Sequence, residues 1–479
     1  MNFFYPQIML WYWLGLKNTG MVSLMSLFRT KPISLNNHSS LRRCLTATDI
    51  TLLGIGAIIG AGVFVLTGIA AATKAGPAIS VSYILAGLAS MFTALAYAEL
   101  SASIGGCGSA YNYAFAAFGE LIAWVIGWAL LLEYSVAVSS VAIGWSGYVN
   151  NALQSLNISL PQQLVTDPSM GGWCNLPAML LVLLLAMITC IGVKASTRFN
   201  AFIVMIKLLA IAIFVCVAMA NIHTNNWHPF APFGWNGIAQ GAAIIFFAYI
   251  GFDAVSTAAE ETINPQRNLP IGIITSVIIC TLVYMLVAIL LTGIIHYSDL
   301  NVSSPVAYAM LHIGYPLVAG IIALGAIAGL TTVILVMFYG LTRVLLAMSR
   351  DGLLPPIFAK VHPRTQTPVP VILISGVIIA LMSGLMPLRE TAALVNIGTL
   401  SAFIIVCTGV IALRIMQPDL PRPFKLPWNP LIPLAGIGFC FYLMINLSKT
   451  TWICFTIWLC VGLFIYFLYS RHNSILKDN

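Results

Sequence analysis

The chain has 479 residues, of which 60% are hydrophobic and 7% charged, against roughly 25% charged in ordinary soluble domains. That composition leaves no room for a soluble enzymatic module beside a membrane domain. The formal net charge of +8 is spread along the chain with no basic run, which argues against a nucleic-acid-binding tail.

The first residues, MNFFYPQIMLWYWLGL, are apolar and aromatic but lack a basic n-region and a small-residue cleavage site. They are also short for a membrane crossing. The segment 1–24 reads as an over-extended start, with Met25 opening the working protein. A chain beginning at Met25 is therefore expected to insert and function as the longer one does. Loss of either property in that truncation would show that residues 1–24 contribute an element.

About twelve stretches are long and apolar enough to span a bilayer: roughly 46–72, 77–100, 120–150, 176–193, 200–220, 237–258, 270–295, 316–348, 368–386, 389–415, 430–447 and 451–470. The expected fold is an all-α polytopic membrane protein. With the N-terminus placed inside, three Lys and Arg residues (Lys74, Arg389, Lys449) fall in external loops, Lys207 falls within a span, and the other 17 are cytoplasmic. This positive-inside bias puts both termini in the cytoplasm, with segment 1–45 at one end and 471–479 at the other.

The first span is interrupted at its centre by Gly60-Ala61-Gly62, and the sixth around Phe247-Ala248-Tyr249-Ile250-Gly251. Backbone polar groups facing lipid cannot go unpaired, so broken helices survive only where they line a cavity or ligand. Paired breaks in the two halves of a chain point to a secondary transporter with its site at the midplane. Gly56 and Gly60 also satisfy GxxxG, a helix-packing pattern, but packing of the first span leaves the break in the sixth without a reason. The run GIGAIIG (54–60) lacks dinucleotide-loop spacing and a preceding strand. An unwound turn offers N–H groups to a carboxylate and freed carbonyls to an ammonium. A zwitterionic amino acid fits both ends of such a gap.

Charges inside spans are costly and tend to be functional or paired. Glu133 lies about 20 Å along the third span, near the midplane. It reads either as a polar anchor near the amine of a substrate or as a buried, protonated carboxyl. Asp253 follows the second break, where helix capping rivals a substrate or gate role. Glu99, at the cytoplasmic end of the second span, reads as structural. Lys207 lies roughly 12 Å inside the fifth span, where snorkelling to the interface competes with a coupling role.

No metal or cofactor is expected. The ten cysteines form no CxxC pair, and the seven histidines lie in loops, tails or near span ends without metal-ligand spacing. Asn157-Ile158-Ser159 and Asn301-Val302-Ser303 match the glycosylation sequon in predicted external loops, a pattern with many chance matches. A channel would want a continuous polar pore, and a membrane enzyme a nucleophile–base pair or metal cluster, so no catalytic residue is assigned.

Three segments carry a family resemblance: LLGIGAIIGAGVFVLTG (52–68), FFAYIGFDAVSTAAEETINPQRNLPIGI (246–273) and YGLTRVLLAMSRDGLLP (339–355). They resemble the amino acid–polyamine–organocation superfamily, most closely bacterial members of its cationic amino acid transporter branch, over about residues 25–470. The resemblance implies a leucine-transporter-like 5+5 inverted repeat with broken helices 1 and 6. Residues 46–220 would form the first repeat, 237–415 the second, and 430–470 two peripheral helices. It also implies that Gly60, Ala61 and Gly62 cradle the substrate carboxylate, with Ala61 where relatives often have Thr or Ser.

By the same resemblance, the carbonyls of Ile58, Phe247, Ala248 and Ile250 would meet the ammonium, and the Phe247 ring would form an outer lid. Glu133 would face the cavity. Lys207 would occupy the space that sodium fills in sodium-coupled relatives and link protonation to closure. Met337 would close the side-chain pocket, shortening it and offering nothing to a cationic head. The expected activity is secondary active, proton-coupled transport of small neutral L-amino acids across the cell membrane. Exchange and uptake of arginine or lysine are the alternatives. The partners are then the amino acid, protons and the bilayer, with no nucleic acid and no defined oligomeric state.

Overall fold

The computed structural model describes residues 29–31, 43–155, 158, 160–168, 171–302, 304–386 and 388–475. The segment 1–24, residues 476–479 of the tail, and one or more residues of each sequon lie outside them. Among the described residues the chain is helical, and its one β-bridge joins Leu45 to Thr262.

Helix α1 (Ala47–Ile58) opens on a capping box. The Asp49 amide donates to the Thr46 hydroxyl (3.3 Å), and the Thr46 amide donates to the Asp49 carboxylate (2.9 Å). The helix stops at Ile59, whose ψ of 101° is extended. A wide π turn (Gly62–Leu66) and the short α2 (Thr67–Ala70) follow. Then come α3 (Ile79–Ser103), α4 (Ala110–Phe118), α5 (Glu120–Ser155), α6 (Leu176–Ile191) and α7 (Val193–Met219).

The next element is interrupted as well. Helix α8 (Gly234–Ile245) tightens into a 3-10 turn at Phe246–Tyr249, runs extended at Ile250 (ψ 134°), and restarts as α9 (Phe252–Ser256). Gly251 makes the restart possible, because its φ of 124° is open only to glycine. The remaining helices are α10 (Pro265–Ile294), α11 (Pro305–His312), α12 (Pro316–Arg350), α13 (Val369–Leu385), α14 (Leu388–Met416), α15 (Leu431–Ile445) and α16 (Lys449–Ile465).

Among the described residues, eight helical stretches are long and apolar enough to cross a membrane, with Ala47–Ser103 counted as one. The apolar helices α6, α13 and α15 are shorter, at 16, 17 and 15 residues. The outer faces are greasy: Leu209, Leu282, Leu324 and Phe464 are each more than half exposed. Such a surface suits hydrocarbon rather than water.

Helix α1 packs on α7, α10 and α12, and α12 on α5 and α7, so the first break sits at the centre of the bundle. The second break crosses it directly. A Cβ added at Gly62 would lie 2.1 Å from the Ala248 Cβ, and one at Gly251 would lie 2.8 Å from the Ala57 Cβ. Glycine at these two places lets the two interrupted backbones touch.

Charged side chains brace one end of the bundle. Glu261 and Arg343 pair at 2.9 Å with both side chains buried, and the Tyr339 hydroxyl donates to the same carboxylate. The Cys44 and Leu45 amides donate to the Glu261 carbonyl (2.8 and 3.0 Å), strapping the segment before α1 to the segment after α9. Arg350 pairs with Glu260 at 3.0 Å and Lys31 with Asp351 at 2.6 Å. Glu99 accepts from Arg414 (2.5 Å) and from the Leu426 amide (2.8 Å), a structural tie.

Candidate substrate site

The two breaks enclose a pocket. Gly60, Ala61 and Gly62 line it from the first break and Phe247 and Ile250 from the second. Ala57 and Ile58, at the end of α1, also face it, and Ala137 and Val141 of α5 with Val333 and Met337 of α12 complete the wall. Not one of these side chains is polar. Its volume of 10 Å³ is room for about one water molecule, so the site is closed down in this conformation. Any polar recognition must come from backbone groups freed by the breaks. Gly60 has a packing reason as well, since a Cβ there would lie 2.4 Å from Val333.

Of the predicted binding residues, Ile58, Gly60, Ala61, Gly62, Phe247, Ile250 and Met337 come together around this pocket. Ala248 stands behind it, in the tight turn of the second break. Asp253 is outside the lining and fully buried in the first turn of α9. Its carboxylate accepts from the Gly251 amide (3.1 Å) and from the Tyr134 hydroxyl. These bonds hold Asp253 to the residue before the restarting helix and tie that helix to α5.

Glu133 also lies outside the lining, one turn of α5 from Ala137. It is fully buried and neither carboxylate oxygen meets a donor at hydrogen-bond distance. The neighbouring Thr399 hydroxyl donates instead to the Val395 carbonyl (3.0 Å). Glu133 is thus one helical turn away from the residues that line the pocket. A spacing of four residues along α5 separates it from the pocket wall, which a linear sequence does not resolve.

Lys207 is fully buried on α7. Its ammonium donates to the carbonyls of Ile59 (2.8 Å), Ile55 (3.0 Å) and Gly56 (3.0 Å), and to the Thr332 hydroxyl (3.0 Å). The carbonyls belong to the last turn of α1 and its cap, where the helix dipole is negative. Thr332 in turn donates to the Gly56 carbonyl (3.0 Å), so one ammonium joins α1, α7 and α12. The side chain does not snorkel.

Three buried tyrosines complete the surroundings. The Tyr284 hydroxyl lies 2.5 Å from the Ile58 carbonyl and 2.9 Å from that of Ala248. Tyr83 meets Thr67 (2.6 Å) and the Gly62 carbonyl (3.3 Å), and Tyr249 donates to the Tyr83 carbonyl (3.0 Å). Sequence inspection passed over all three, although a tyrosine midway along an apolar span needs a partner for its hydroxyl.

A family model described as amino acid permease matches residues 45–471. The chain belongs to the amino acid permease family, within the amino acid–polyamine–organocation superfamily. The permease is 48% identical over 463 residues to the branched-chain amino acid permease of Bacillus subtilis (strain 168), covering 95% of this chain and 99% of that one. It is 47% identical over 460 residues to the methylthioribose transporter of the same organism, covering 95% and 100%. Likeness to the vacuolar cationic amino acid transporter 4 of Arabidopsis thaliana is 36% over 388 residues, 79% of this chain and 64% of the relative. These relatives are transporters, not enzymes. With eight membrane-length helices among its described residues, the permease is a multi-pass membrane protein.

Proposed function

We propose that this permease is a secondary active transporter of neutral amino acids with small side chains. Backbone N–H groups at Gly60–Gly62 receive the carboxylate, and carbonyls of Ile58, Phe247, Ala248 and Ile250 receive the ammonium. The side chain points toward Met337. The observation that carries this reading is the wholly apolar pocket wall between two helix breaks. A guanidinium or ammonium head buried there would lack a partner, at a cost of several kcal/mol, or orders of magnitude in affinity. Similarity to a branched-chain amino acid permease supports the apolar class and extends it toward valine-sized side chains.

The permease works by alternating access in a twelve-span, 5+5 repeat architecture in the cell membrane, with both termini cytoplasmic. Protons drive it, and Lys207 is the group that responds to them. A buried ammonium held by the end of α1 exchanges its proton as α1 moves against α7 and α12, coupling the charge to closure.

Competition against labelled alanine uptake tests the substrate class. Valine, serine and threonine should compete in the wild type and arginine should not, whereas Met337→Ser should admit longer and cationic side chains. If arginine competes as well as alanine in the wild type, the Met337 argument is wrong. The orphan carboxylate of Glu133 would then be the group to examine.

A further inference from the structure

The two breaks touch at Gly62 and Ala248, yet among the described residues no backbone hydrogen bond runs from one to the other. Their polar connection is made by a side chain that lines neither wall of the pocket. Tyr284, on α10, is fully buried and packs its ring against Tyr83 and Tyr249, at centroid distances of 5.4 and 5.5 Å. Its hydroxyl sits between the carbonyl of Ile58, the last residue of α1, and that of Ala248, in the tight turn of the second break. A phenol has one proton to give, and each carbonyl has two lone pairs. The two oxygens are thus drawn together around a single donor and keep unused accepting capacity.

We propose that the Tyr284 hydroxyl is a positioning pin. It fixes the spacing of the Ile58 and Ala248 carbonyls so that both can receive the ammonium of the substrate. This rests on the amino acid site proposed above. Lys207 holds the carbonyls of Ile55, Gly56 and Ile59 from the α7 side, and Tyr284 holds Ile58 from the α10 side. The end of α1 is therefore fixed by two side chains with different duties. Lys207 carries a charge that can change, whereas Tyr284 is a neutral donor that sets geometry.

Filling space between Tyr83 and Tyr249 is the competing role for this ring, and Tyr284→Phe separates the two because it removes the hydroxyl alone. Binding to the purified permease should be measured for alanine and for lactate, which carries a hydroxyl where alanine carries its ammonium. In Tyr284→Phe, alanine affinity should fall by about tenfold, the worth of one hydrogen bond to a charged group. Lactate binding and the melting temperature should change little. Tyr284→4-aminophenylalanine keeps the ring and a para N–H donor, and should restore alanine binding. It also keeps the test available if the Phe variant does not fold. Unchanged alanine affinity in folded Tyr284→Phe, an equal loss for alanine and lactate, or lost alanine affinity in folded 4-aminophenylalanine protein overturns the proposal. Failure of the wild type to bind alanine would instead overturn the amino acid reading on which it rests.

Discussion

Lys207→Ala should abolish accumulation of amino acid against its gradient while leaving measurable substrate binding. The three N–H donors of the wild-type ammonium share four acceptors and so join α1, α7 and α12, and none of these acceptors belongs to a residue whose side chain contacts the substrate in the proposed site. Its removal leaves the end of α1 without the charge that ties it to its neighbours. Binding energy from Gly60–Gly62 and the second break would remain. In wild-type proteoliposomes, uptake should steepen with an inward proton gradient and be indifferent to sodium. The variant should lose the response to the proton gradient but still exchange substrate slowly. Sodium-dependent accumulation by the wild type, or undiminished proton-driven accumulation by Lys207→Ala, would remove Lys207 from the coupling role.

Gly62→Ala should bring transport to background although it adds a single methyl group. That Cβ would lie 2.1 Å from the Ala248 Cβ and 2.4 Å from its Cα. The Cα is a backbone atom and has no rotamer to yield. Overpacking of this kind costs about 1–3 kcal/mol. Here it would be relieved by parting the two breaks, which misplaces the carbonyls of one relative to the amides of the other. Gly144→Ala is the natural control, since a Cβ at Gly144 on α5 meets nothing within 4 Å. Uptake by Gly62→Ala within twofold of the control would mean that the breaks tolerate separation. The close approach of Gly62 to Ala248 would then have no part in the site.

Much of the arrangement was legible in the sequence because membranes restrict backbone chemistry so severely. A glycine pair in the middle of an apolar span has few explanations, and Gly60-Ala61-Gly62 and Phe247–Gly251 do mark the two interruptions. What a linear chain cannot display is how far along a helix a cavity reaches, or which distant group meets a charge. Glu133 and Ala137 share a helix face one turn apart, and that one turn decides that Ala137 lines the pocket and Glu133 does not. Asp253 was read as either cap or gate, and in the structure its carboxylate meets the Gly251 amide and the Tyr134 hydroxyl outside the pocket lining.

The remaining misses are long-range pairs. Tyr284 reaches Ile58 across 226 positions and Arg343 reaches Glu261 across 82. Both partners of the buried ion pair stood within the segments that carry the family resemblance, but nothing local couples them. Removing either partner would leave an uncompensated buried charge, so this pair is a structural fixture of the braced end.

Counterflow in proteoliposomes tests most directly that the pocket serves neutral amino acids. Vesicles holding the wild-type permease are loaded with excess unlabelled alanine and diluted into trace labelled alanine with no ion gradient. Labelled alanine should accumulate transiently. Internal valine should replace internal alanine as the driving pool, and internal arginine should not. Absence of alanine counterflow, together with arginine counterflow driven by internal arginine, would contradict the account.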